Sequence, residues 1–396
     1  MTASPGIEGR LTVRVTVAAG RIRAVSVRSS RPVHAGKLFR GRMAEGVPAM
    51  VPLVYAVCGT AQTVAALGAL EGARGILPGA AHQSARRITV LAETAREHLT
   101  AILTDWARCL DREPRAAGRE EIHKWPKRAR DLLYPEGGFE TLGGGPLTPE
   151  RGGLAALRSE MARVLEERVL GMPPEAFLDL PEIGAAEAPS RWRSGPLGPA
   201  MLAWLRRTGR AGSGSAPLDP LPDFGEAEVA GRMAAGGDAF LARPEWDGAP
   251  RETSPLTRNR DHHLVASAIH HWGAGVLARH TARLVELAGI PGRMEALAAG
   301  LEPDRAARTT GTASGAGVGV VEAARGRLVH RATLEGESVR DYQVLAPTEW
   351  NFHPEGALAR GMRGRPVPGE DEAAEVDLLA RALDPCIGYG VEVYHA

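Results

Sequence analysis

A chain of 396 residues with 48 basic against 47 acidic side chains carries a formal charge of +1, so no overall field draws it to nucleic acid, an acidic membrane or a polyanionic substrate. That length can bury a sizeable core, while three cysteines are too few and too scattered for a disulfide framework, which fits a reducing compartment with thiols free for a soft metal. The opening MTASPGIEGR has neither a basic head nor an apolar run, so no secretory signal is expected and the cytoplasm is the expected location.

In chain order, Leu11, Val13, Val15 and Val17 alternate with Thr12, Arg14 and Thr16, and Ala19-Gly20 supplies a turn, so residues 11–27 read as a hairpin. The most apolar stretch, residues 47–70, is broken by Pro48, Pro52, Gly59, Thr60, Gln62 and Thr63. It reads as buried core around a site, not as a membrane span. Residues 60–73 read as a buried helix directly after Cys58, and 84–110 as a longer amphipathic one. Gly and Pro crowd residues 134–153 and 171–225, which marks connections or insertions. Apolar periodicity over 259–288, with Leu264, Ala268, Trp272, Val276, Leu284 and Leu287 on one side, predicts one long central helix. Residues 317–323, 327–334 and 338–345 are extended runs separated by Arg325-Gly326 and Glu335-Gly336, the pattern of a small antiparallel sheet. A helix over 371–383 precedes the tail 384–396.

Cys58 ends Leu53-Val54-Tyr55-Ala56-Val57-Cys58, and Cys386 lies in Asp384-Pro385-Cys386-Ile387-Gly388-Tyr389. Alone, a buried free cysteine is a small hydrophobe, and Cys109, in helical surroundings, keeps that reading. Together the other two segments resemble the paired C-x-x-C motifs of nickel-iron hydrogenase large subunits. Asp384-Pro385-Cys386 matches the introduction of the second motif. Residues 53–58 line up with Arg-x-Cys-Gly-x-Cys, so Tyr55 and Tyr389 stand where two cysteines would be and Gln62 replaces a histidine. Further ordered similarities are Ile7-Glu8-Gly9-Arg10, Leu38-Phe39-Arg40-Gly41, Ser254-Pro255-Leu256-Thr257-Arg258, Glu322-Ala323-Ala324-Arg325-Gly326 with His330 following, and Tyr342-Gln343-Val344 leading into Pro347-Thr348-Glu349-Trp350-Asn351.

The resemblance implies an α+β, mainly helical, hydrogenase large-subunit-like fold spanning 1–396 as a single domain, with small antiparallel β elements near the N-terminus and in the C-terminal third. In that family four thiolates hold nickel and iron. A phenol, with a reference pKa of about 10, is a harder and mostly protonated donor, so no nickel and no hydrogen activation are expected. Cys58, at a bridging position, and Cys386, at a terminal one, remain as soft ligands. Arg325 matches an arginine that lies by the cyanide ligands, where a guanidinium donates to anionic acceptors.

The sequence is most similar to enzymatically inactive hydrogenase maturation proteins of the HupK/HoxV type. The implied role is a non-catalytic scaffold that transiently holds an Fe(CN)2(CO) unit at Cys58, Cys386 and Arg325. Its implied partners are maturation proteins of the HypC/HypD type and the hydrogenase large subunit. A divergent metal-dependent oxidoreductase and a metal-free chaperone of the large subunit are the alternatives. No trimming of the tail is expected. Glu8 aligns with a glutamate implicated in proton movement, or is a surface turn carboxylate. His262, His263, His270, His271 and His280 would share one helix, but no acidic or cysteine partner is fixed beside them; His353 and His395 are unassigned.

Overall fold

The computed structural model describes residues 9–113, 119–186, 195–304, 308–309, 315–367 and 372–396. Strands β1 (Leu11–Ala18) and β2 (Arg21–Ser29) form the expected hairpin. Ala19 and Gly20 both take positive φ in its turn, the backbone twist that a tight hairpin requires. Leu11, Val13, Val15 and Val17 are buried, as the period of two demands.

The apolar stretch after them folds into two helices, α1 (Val47–Val54) and α2 (Gly59–Arg74), with residues 55–58 as the break between them. Ala61, Ala65, Ala66, Ala69 and Ala73 of α2 are all buried. Among the described residues no helix is long and apolar enough to cross a membrane. A two-residue strand, β3 (Ile76–Leu77), pairs with another, β4 (Arg308–Thr309). Helix α3 (Ala80–Ala101) then runs on through a wide turn at Ile102–Trp106 to Cys109, which covers the amphipathic segment expected there. A buried two-bond pair from Arg86 to Glu71, 2.8 and 2.6 Å, ties α3 to α2.

In the last third, β5 (Ala316–Ala323), β6 (Gly326–Glu335) and β7 (Ser338–Leu345) make the predicted antiparallel sheet in the order β5-β6-β7. Helix α2 lies directly against β5 through glycine. A Cβ on Gly319 would stand 1.9 Å from the carbonyl oxygen of Ala65, and one on Gly317 2.2 Å from that of Ala69. The helix therefore sits closer to the sheet than any side chain would allow, and its N-terminal end is fixed relative to β6 and β7.

Three expectations are corrected. Residues 259–288 are not one helix but parts of three, Pro255–Asn259, His263–Trp272 and Val276–Ala299. Gly273 takes φ 70°, and Gly275 rests on the backbone of 212–213, where a Cβ would be 2.9 Å from Gly212 C and Ser213 O. Apolar periodicity continues across this break because both helices face the same core. Second, the Gly/Pro-rich region 171–225 holds helices at Pro174–Leu178 and Leu197–Arg207. Both begin with a proline in the first turn or at the cap, where a missing N–H costs nothing. Third, the tail becomes a strand, β8 (Tyr389–His395), parallel to β1, so the N-terminal sheet has the order β2-β1-β8.

The glycine contact gives a stability test. Gly319→Ala is expected to lower the unfolding free energy by about 3 kcal/mol through overpacking. Gly231→Ala, on an exposed helical position with nothing within 4 Å of the added carbon, should instead stabilise by about 0.5–1 kcal/mol. Urea denaturation of both variants checks the pair, and equal effects would contradict the close approach.

Candidate functional site

Cys58 stands at the N-terminal cap of α2, and two residues one helical turn apart on α3, Glu93 and Arg96, hold it there. The Glu93 carboxylate accepts from the backbone N–H groups of Thr60 and Ala61 at 2.8 and 2.9 Å, satisfying two of the orphan donors of a helix start. Arg96 donates to the carbonyl of Val57 at 2.8 Å, and Glu97 accepts from Arg325 at 2.9 Å.

A directed chain of hydrogen bonds reaches the sulfur. Burial, with the Arg31 charge adding to it, pushes His330 down to about 3, so its ring is neutral. Gln62 Oε1 can only accept, so His330 Nε2, 2.7 Å away, carries the proton and Nδ1 accepts from the Tyr342 hydroxyl at 2.7 Å. This orientation leaves the Gln62 amide N–H pointing at Cys58 Sγ, 3.4 Å away. Burial pushes the Cys58 thiol up to about 12; Cys386 and Glu93 add to the rise, and Gln62 and Arg325 oppose it.

Cys386 arrives from the opposite end of the chain. The helix Glu372–Leu383 stops at Asp384, which takes φ 56°, a left-handed conformation that Asp tolerates better than most residues. The Thr348 hydroxyl accepts from the Cys386 N–H at 3.4 Å and lies 3.0 Å from its Sγ. Arg31 Nη1 donates to the same sulfur at 3.3 Å and to Glu349 Oε2 at 3.3 Å. Burial works against the Arg31 charge, but Cys386, Glu349, Cys58 and Tyr55 more than offset it and raise its pKa.

The two sulfurs share one cavity of about 70 Å³, whose walls include Arg31, Leu38, Tyr55, Gln62 and Ile387. Tyr55 is thus where the sequence placed it, beside the thiols, and burial first, with Glu349 adding, pushes its phenol up to about 12 against the pull of Arg31. Arg325 lies behind this wall. Asp384 accepts from its Nη2 at 3.4 Å, and Glu97 from Nη1, while its buried Nε has no hydrogen-bond partner among the described residues. Burial lowers its pKa, but Asp384, Glu97, Cys386 and Cys58 together raise it. Two soft donors with an unused N–H and two guanidiniums nearby suit a metal fragment that brings anionic ligands of its own. They do not make a full set for a bare ion. Among the described residues no three His, Cys, Asp or Glu side chains are placed to hold one.

Several sequence candidates fall elsewhere. Tyr389 turns from the cavity and donates to Asp377 at 2.5 Å, because the first residue of β8 faces the preceding helix. Cys109 packs on the main core, and burial pushes its thiol up to about 11. The helix break separates the histidines: His262 caps Leu264, His263 meets the carbonyl of Leu180 at 2.7 Å, and His280 is buried with its ring 4.4 Å from Trp106. His353 accepts from the Glu355 N–H, and His395 ends β8 beside Glu372. Glu8 lies outside the described residues. Sequence reasoning missed Arg31 and the α3 trio, and it met Thr348 and Glu349 only inside a motif, with no role beside the sulfurs. Glu93, Arg96 and Glu97 share a helix face, the one signal that pointed inward.

The family model described as "Nickel-dependent hydrogenase" matches residues 240–392. The hydrogenase expression/formation protein HupV of Azotobacter chroococcum mcd 1 is 32% identical over 98% of this chain and 99% of its own length. HoxV of Cupriavidus necator, of the same description, is 30% identical over 99% and 97%. Among solved structures, the Ni-Fe-Se hydrogenase of D. vulgaris Hildenborough in the reduced state superposes with a TM-score of 0.66 at 17% identity, over 93% of this chain and 94% of that one, a likeness of fold. The chain therefore has the hydrogenase large-subunit fold and belongs to the HupV/HupK/HoxV family of hydrogenase expression/formation proteins.

Proposed function

We propose that the chain serves hydrogenase maturation as a non-catalytic scaffold, holding an iron unit that carries cyanide and carbonyl ligands and passing it to a hydrogenase large subunit. One observation carries the reading: sulfurs from the two ends of the chain share a single cavity beneath Arg31, with a phenol, Tyr55, on its wall. The names of the relatives support the coarser part, a role in hydrogenase formation.

The chemistry of the donors supports the finer part. Cys58 and Cys386 would each give up a proton to bind iron, since the thiolate is the ligand. Two Fe–S bonds would hold a fragment that brings cyanide and carbonyl ligands of its own, and Tyr55 is a neutral, hard group at the pH of the cell. A nickel ion has no thiolate set of its own here, so hydrogen activation is not part of the role. Arg325, behind the wall and paired with Glu97 and Asp384, would favour an anionic cargo over an empty pocket through its charge. Fewer thiolate bonds than a finished enzyme offers leave the cargo free to move on. Donors and acceptors of the cargo are maturation proteins of the HypC/HypD type and the large subunit.

Infrared spectra of protein purified without oxygen from cells containing the maturation machinery should show cyanide and carbonyl stretching bands, with iron but no nickel by elemental analysis. Cys58→Ser and Cys386→Ser should each abolish the bands, and Cys109→Ser should keep them. Equal retention in all three would discard the assignment, and nickel with hydrogen uptake would replace the scaffold by an enzyme. Arg325→Leu is expected to lower bound iron by about 10–100-fold, the usual cost of losing a supporting partner of a metal site, with folding checked by circular dichroism.

A further inference from the structure

Arg31 has no counterpart among the motifs that mark the site, yet its geometry is the most specific in the cavity. Its side chain keeps only 10% of its accessible surface. One nitrogen, Nη1, stands 3.3 Å from Cys386 Sγ and 3.3 Å from Glu349 Oε2, and the guanidinium carbon lies 6.0 Å from the centre of the Tyr55 ring. Among the described residues that wall the cavity it alone is charged, for Glu349 and Arg325 lie outside the wall. An ion seated on both sulfurs would face this charge directly.

Without it, Cys58 and Cys386 would offer two thiolates with no charge beside them on the cavity wall, soft donors to which zinc and similar ions bind. Arg31 sits between Cys386 and Glu349, each within hydrogen-bond reach of the same nitrogen. We propose that Arg31 is a charge gate, which keeps bare divalent cations off the two sulfurs and admits a metal only when it arrives with anionic ligands. The guanidinium repels an uncompensated ion at short range in a largely buried pocket, where charges are weakly screened. Toward a metal already neutralised by cyanide it acts in the opposite sense, as a donor. Selectivity then lies in the charge of the whole cargo, since thiolates discriminate poorly among soft and borderline ions.

This inference rests on the reading that Cys58 and Cys386 hold a metal, but it is tested without iron. The full-length, metal-free protein is titrated anaerobically with zinc alone against a chromophoric chelator, with stoichiometry read by native mass spectrometry. Wild type is expected to bind zinc weakly at these sulfurs. Arg31→Met should bind one zinc about 100-fold more tightly, and the gain should vanish in Arg31→Met combined with Cys386→Ser. Arg31→Gln, equally uncharged, should show the same gain and serves if the methionine variant fails to fold. Arg31→Lys keeps the charge and should stay at the wild-type value. Equal zinc affinity in wild type and the uncharged variants, or a lysine variant as tight as they are, would overturn the gate. If the infrared bands are absent while the zinc difference stands, the scaffold reading fails and the gate survives.

Discussion

A guanidinium cannot be buried without anions around it, and two such groups beside two sulfurs set the terms for the rest of this structure. Arg31 is met by Glu349 and Cys386, and Arg325 by Glu97 and Asp384. These partners come from α3, from the segment after β7 and from the turn after the helix Glu372–Leu383, elements far apart in sequence. Charge compensation therefore explains why they converge, and apolar burial does the remaining work of holding them. The pocket is then a place where the charged group on the wall, Arg31, has its carboxylate partner, Glu349, behind it.

Rigidity around the sulfurs follows from the same economy of polar groups. Cys58 is placed by a helix start whose free N–H groups are taken by Glu93, and its sulfur receives a donor whose direction is set by His330 and Tyr342 two bonds away. Cys386 is placed by Thr348 and Arg31. Each sulfur thus has its own support, and the two supports meet through the glycine-mediated contact of α2 with β5, whose sheet carries His330 and Tyr342. Such preorganisation fixes where the two sulfurs stand relative to one another.

How far the sequence could be read depended on whether a signal was local. The hairpin of residues 11–27, the helix after Cys58 and the three extended runs of the last third rest on periodicity and turn residues, and all three were legible. That Cys58, Cys386 and Tyr55 line one cavity was legible because their motifs resemble a known family's. Arg31 was not, since nothing in Ser30-Arg31-Pro32 distinguishes it from a surface arginine, and its burial comes from segments more than 300 residues on. The break at Gly273–Gly275 escaped notice because the apolar period runs through it; only the backbone of 212–213 against Gly275 shows why the helix stops. The strand after Cys386 has alternating Val391 and Val393, but its parallel partner, β1, cannot be inferred from spacing.

That strand has a mechanical consequence. Tyr389 pairs with Leu11 and His395 with Val17, so Cys386 sits three residues from a ladder anchored in the first hairpin. Moving the ladder by two positions, the smallest slip that keeps the same faces inward, would carry the attached sulfur roughly 7 Å, well beyond the reach of Thr348 and Arg31. The first hairpin is therefore the ruler against which the distance between the two sulfurs is measured, although it contributes no atom to the cavity.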